Sequence, residues 1–172
     1  YFWRINRNTS NRLDRFNQIF EQAQIELQAG SFSQGQTALE QAIRTLGPSL
    51  PLTPQSLRDH TECIQSLSNL GHRLVHSLTA HLGQQIEITV RKRKPARRYL
   101  ISCDLQHIRI GFRPPDLSQP SDSPSNQGID HRWTDLDIRS LLQQRLPKMY
   151  GFLREPHGLY LDDSGSVFSL RE

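Results

Sequence analysis

Histidines and carboxylates are the first residues here to test for chemistry. His72 and His76 stand four apart, a spacing that puts two imidazoles on one helix face within reach of one metal ion. No cysteine or carboxylate completes a ligand set, no glutamate follows His72 in the protease pattern, and His81 falls on another face. Both read as surface histidines, and no metal site is expected. His60 falls on an apolar stripe and reads as a packing or capping residue at the core edge. Asp130-His131, close to Trp133, pairs an acid with a base, but no nucleophile motif accompanies them. Asp162-Asp163 runs into Ser164-Gly165, which is turn chemistry rather than a catalytic dyad. Cys63 and Cys103 lack metal-type spacing and read as small buried hydrophobes of a reduced compartment. The glycines are scattered, with no phosphate-cradling loop after a strand. The expectation is a protein that is not an enzyme, with no cofactor and no evident small-molecule substrate.

One cluster does point to a partner. Arg91, Lys92, Arg93, Lys94, Arg97 and Arg98 place six positive charges within eight residues, broken only by Pro95 and Ala96. The whole chain carries a formal net charge of +4, so everything outside this octet is net negative. Lysines and arginines on a protruding loop can neutralise nucleic-acid phosphates, anionic lipid headgroups or an acidic protein. Arg109 and Arg113, on and after a nearby strand, could extend the same surface. Tyr99 is the sole aromatic beside the octet, which makes a poor platform for stacking single-stranded bases.

The start of the chain carries a second signal. Tyr1, Phe2 and Trp3 precede Arg4, Arg7, Arg12 and Arg15, with Asp14 the one opposing charge. Aromatic residues favour the headgroup zone and clustered arginines the cytoplasmic side of a membrane. This order reads as the exit from a membrane span that would precede Tyr1, with Tyr1, Phe2, Trp3, Arg4 and Arg7 membrane-proximal. The sequence itself holds no run of apolar residues long enough to span a bilayer.

Hydropathy patterning supplies the elements that must hold these groups. Hydrophobic residues make up 35% of the chain, a low share, yet their periodicity is clear enough to exclude general disorder. Leu13, Phe16, Phe20, Ala23 and Leu27 repeat at three and four, predicting a helix from about Ser10 to Gly30. Phe32, Gly35, Leu39, Ala42 and Leu46 predict a second, closed by Gly47-Pro48 and folded back on the first as a hairpin. Thr53-Pro54 opens a long third helix running to Leu82, with Gly71 on its apolar stripe as a close-contact point. Gln85 to Arg91 alternates as a half-buried strand, and strands follow over 99–104 and 107–112, with Ile108, Ile110 and Phe112 facing one way. The octet then falls in the connection between the first two strands, as a charged loop projecting into solvent. Residues 113–128 contain Pro114, Pro115, Pro120 and Pro124 among polar residues and read as a flexible insert. Thr134 with Asp137 opens a short helix stopped by Pro147, and 159–161 with 167–170 predict a hairpin.

The predicted fold class is α+β: an N-terminal helical hairpin and a long third helix lead into a small antiparallel sheet, one further helix and a C-terminal hairpin. The division is 1–52 for the juxtamembrane segment and helical hairpin, and 53–172 for the α+β domain. The order helix, three strands, helix over 54–146 resembles double-stranded RNA-binding domains in topology. Its last helix, however, opens on Asp135 and Asp137, where such domains carry lysines. The functional expectation is a non-catalytic interaction or adaptor module, cytoplasmic and tethered to a membrane, that docks a protein partner and an anionic surface. Nucleic-acid binding through the basic loop is the alternative.

Overall fold

The computed structural model describes residues 2–45, 54–154, 158–161 and 167–169. Its helices are α1 (Phe2–Gln28), α2 (Phe32–Thr45), α3 (Pro54–Ser68), α4 (Leu70–Thr79), α5 (Ile138–Arg145) and α6 (Pro147–Arg154). Strands β1 (Gln85–Ile88), β2 (Ala96–Cys103), β3 (His107–Gly111) and β4 (Ile129–Arg132) form an antiparallel sheet in that order. Strands β5 (Leu159–Leu161) and β6 (Val167–Ser169) make a separate two-stranded ribbon. The predicted α+β class, with a helical hairpin at its head, is the architecture found.

The α1–α2 hairpin rests on the predicted stripes: Leu13, Phe16, Phe20, Ala23 and Leu27 from α1 meet Phe32, Leu39 and Ala42 from α2 inside one core. Its corner needs Gly30. The backbone there is left-handed at φ +87°, Ser31 N–H reaches Glu26 O at 2.9 Å, and Gly30 N–H reaches Leu27 O at 3.2 Å. This is the Schellman arrangement, which satisfies the last carbonyls of α1. A methyl group at Gly30 would fall 2.6 Å from the Trp133 carbonyl oxygen, so the corner also sits directly against the next layer.

Several boundaries differ from expectation, each for a local reason. α1 starts at Phe2, not near Ser10, because nothing from Phe2 to Thr9 breaks a helix and Ser10 is merely a weak helix former. The long third helix is two helices. At Asn69, the Ser68 hydroxyl (2.8 Å) and the Asn69 amide (3.3 Å) both donate to the Gln65 carbonyl, in competition with the helical ladder. Past this break Gly71 meets Phe32, where a Cβ would lie 3.0 Å from the Phe32 Cβ. β1 stops at Ile88 because Thr89 O accepts the Asp137 N–H at 2.8 Å and Val90 bridges Leu136, turning the chain toward α5. The cap of α5 is Asp137, which accepts the Ser140 N–H, rather than Thr134. Pro147 opens α6 instead of ending structure, as suits proline at a first helical position.

The strand β4 has no hydropathy signal and is held by its pairing with β3, Arg109 opposite Asp130. Between α2 and the sheet stands Trp133, 1% exposed. Its indole donates to Asp104 O at 2.8 Å and its ring tilts against Phe32 at 5.8 Å. The broken third helix and the fourth strand set this order apart from the double-stranded RNA-binding topology. One cluster of buried residues runs from Leu13 to Val167, across the predicted boundary at residue 52.

The 113–128 segment holds neither helix nor strand. It folds around Asn126, 2% exposed, whose Oδ1 accepts the Asp116 N–H at 2.7 Å and whose amide donates to Asp116 O and Pro120 O, both at 3.0 Å. A bulge at Leu100–Ser102 lets both Leu100 and Ile101 be buried, Ile101 beside Gly111 and Gly128 on the face this loop covers.

Candidate anionic-partner surface

The octet is not one loop. β2 begins at Ala96, so Arg97 and Arg98 are strand residues, and the connection itself is short. Arg93 N–H closes a turn on Val90 O at 2.9 Å, with Lys92 left-handed at φ +62°. The uniformly projecting loop expected from sequence is therefore corrected: the six cations go to different places.

Arg91 is docked. Its N–H donates to Asp135 O at 2.9 Å, its Nε to Leu136 O at 3.3 Å and its Nη2 to Ala29 O at 3.1 Å. Those bonds tie the turn to the end of α1 and the start of α5. Lys92, Arg93 and Lys94 are exposed, with no carboxylate between them. Lys92 and Arg93 border an open cleft of about 790 Å³, shared with Asp137 and Arg139 at the head of α5 and with Gln143 and Tyr150. Asp137 is occupied there as the helix cap.

Arg97 stands opposite Glu87, and Arg98 opposite Ile86. Cross-strand partners share a face, so Arg98 lies on the face that packs against the helices, while Arg97 lies on the other. Beyond the cover of the helices, the Arg98 guanidinium sits 4.2 Å from the Phe112 ring centroid, a cation–π contact. Phe112 is 69% exposed, because β3 ends at Gly111. Although Phe112 continues the alternation of Ile108 and Ile110, it lies past the end of the core. Beside it Ile129 is 52% exposed. Phe112 and Ile129 wall a small pocket of about 160 Å³ whose floor includes the buried Ile88 and Ile110 and whose rim carries Arg93, Lys94 and Arg98.

Arg113 is exposed two residues beyond β3, at the sheet end where β2 starts. Arg109 is not part of this group: it pairs with Asp130 at 3.3 Å. The structure thus brings together Arg93, Lys94 and Arg98, places Arg97 and Arg113 nearby at the same sheet end, and leaves Arg91 and Arg109 in internal contacts. Arg139, Phe112 and Ile129 belong to the surface and were missed. No local pattern marks them, because tertiary pairing alone puts them beside the octet.

Other candidate residues are accounted for singly. His72 and His76 are exposed on α4, and no group of three potential metal ligands occurs among the described residues. His60 is buried. Asp130 and His131 are neighbours on β4, so their side chains point to opposite faces and form no acid–base pair. Asp162 and Asp163 lie outside the described residues. Cys63 and Cys103 are not joined in a disulfide. Burial pushes the Cys103 thiol up, with the Asp104 carboxylate adding to this and a bond with Thr79 opposing it, so Cys103 is a weak nucleophile at neutral pH.

No protein-family model matches this chain, and no curated protein or solved structure does either.

At the head of α1, Phe2, Trp3 and Arg4 form helical backbone and Arg7 is exposed, while Tyr1 and the side chains of Phe2, Trp3 and Arg4 lie outside the described residues. No helix among the described residues is long and apolar enough to cross a membrane.

Proposed function

We propose that this chain is a non-catalytic interaction module that docks an anionic partner on the sheet end formed by the β1–β2 turn. The observation that carries the reading is the grouping of Arg93, Lys94 and Arg98 around an exposed apolar patch whose lining includes no carboxylate. The Arg93 N–H to Val90 O bond and the Arg91 contacts fix the backbone of the turn, so binding has the side chains rather than a loose loop to order. In this reading the helical hairpin offers a further face to a protein partner. The aromatic-then-arginine order from Tyr1 to Arg7 supports a cytoplasmic position beside a membrane.

The test is a salt titration of binding to anionic vesicles, an acidic polypeptide, duplex DNA and duplex RNA side by side, repeated on Arg93→Gln/Lys94→Gln/Arg98→Gln. Salt-sensitive binding to at least one, lost in the triple variant, is expected. Binding that ignores both salt and the substitutions overturns the reading.

One observation favours a second reading. The pairing of β2 with β3 brings an aromatic ring, Phe112, beside the octet. Aromatic rings next to arginines are the elements of a nucleic-acid surface. Selective retention of nucleic acid over vesicles and polypeptide in the same titration would support it.

A further inference from the structure

The pocket at the end of the four-stranded sheet beside the β1–β2 turn narrows the class of partner. Resting on the anionic-partner reading, we propose that it receives one large apolar side chain from an acidic segment of a partner protein, with the carboxylates flanking that side chain engaging Arg93, Lys94 and Arg98.

Three properties of the pocket lead there. Its volume of about 160 Å³ is below the roughly 300–1,000 Å³ of small-molecule sites, and it suits a single side chain. Its interior is mostly aliphatic, with Ile88, Val90, Ala96 and Ile110 below and Ile129 at the side, and Phe112 and His131 complete the lining. Its rim is cationic and no carboxylate lines it. An apolar recess ringed by positive charge is complementary to an apolar residue ringed by negative charge.

The same geometry argues against other anionic partners. A bilayer would meet the exposed Phe112 and Ile129 but leave the recess above the buried Ile88 and Ile110 unfilled. A nucleobase needs a flat ring face for stacking. Phe112 has one face covered by the Arg98 guanidinium, and apart from His131 the rest of the uncharged lining is aliphatic.

The experiment uses the full chain and a fluorescent acidic peptide with a single central phenylalanine between glutamates. A twin peptide carries alanine at that place. Phosphatidylserine vesicles and an oligothymidylate are the comparison ligands. The phenylalanine peptide is expected to bind at least about tenfold more tightly than its twin, as for a well-buried apolar side chain. Ile129→Ser and Phe112→Ala should each reduce that ratio toward one, while Lys94→Glu weakens both peptides alike. Ile129 and Phe112 are exposed, so these variants should melt with the parent, which a thermal scan verifies.

Equal binding of the two peptides overturns the pocket assignment and leaves the anionic-partner reading standing. Stronger binding to vesicles or to the oligonucleotide than to either peptide overturns the partner class alone. No binding to any of them at low salt removes both.

Discussion

Arg91 and its neighbours Arg93 and Lys94 look equivalent as charges, but the structure gives them opposite jobs, and that difference can be measured. The Arg91 guanidinium spans from Leu136 O at 3.3 Å to Ala29 O at 3.1 Å. A hydrogen bond from a charged donor contributes about 1.5–3 kcal/mol. Arg91 is exposed, so solvent screening brings the pair down to about 1–2 kcal/mol in total. For a domain of this size each kcal/mol moves the melting temperature by about 2–4 °C. Arg91→Gln should therefore lower Tm by roughly 2–8 °C, followed by circular dichroism. Arg93→Gln/Lys94→Gln touches exposed side chains and should stay within about 2 °C of the parent. On a heparin column the order reverses: the double variant elutes at clearly lower salt, and Arg91→Gln elutes close to the parent. An unchanged Tm for Arg91→Gln, or an elution shift as large as that of the double variant, would refute the division of the octet into a structural and a binding part.

Three further outcomes follow from the same geometry. Gly30→Ala forces a left-handed alanine, at about 1–2 kcal/mol, and pushes its methyl group onto the Trp133 carbonyl; a Tm loss of more than about 5 °C is expected, and an unchanged melt would contradict the corner. Asn17 bridges α1 to the ribbon by accepting the Leu159 N–H at 2.9 Å and donating to Leu159 O at 3.0 Å. Asn17→Ala leaves both backbone groups without that partner, a loss of about 2–4 kcal/mol, seen as faster hydrogen exchange at the Leu159 amide, while Asn17→Asp keeps one bond and should fall between. The Asp104 carboxylate accepts the N–H groups of Gln106 and His107, which hold its pKa below the ordinary 3.8. A depressed folded pKa adds stability above the unfolded pKa and loses it as pH falls through the folded value. The Tm advantage of the parent over Asp104→Asn should thus be present at pH 6 and shrink below about pH 4; a pH-independent difference would count against it.

Much of the fold was legible in the sequence, and the reason is periodicity. The stripes Leu13–Leu27 and Phe32–Ala42 can bury apolar surface only as a folded-back pair of helices, so the hairpin follows from the pattern. The antiparallel connection of the strands predicted over 99–104 and 107–112 was legible too, since so short a gap leaves few ways to connect them. The elements missed are those whose signals are not local. β4 reads Ile-Asp-His-Arg, which has no strand pattern and exists because β3 offers it an edge. The Asn69 break arises from side chains competing for one carbonyl within a continuous apolar stripe.

For the candidate surface the division is sharper. The sequence by itself concentrates the positive charge in 91–98, because no acid dilutes it there. The tertiary structure decided where each charge goes. Backbone carbonyls of the α1 end and of Leu136 capture Arg91, Asp130 engages Arg109, and the β2–β3 register sets Arg98 over Phe112. Each of those partners lies between 14 and 62 residues away along the chain. Charge is a property of a side chain and can be read from its letter. Whether that charge is spent inside the molecule or offered to a partner depends on which distant groups folding brings within hydrogen-bonding range.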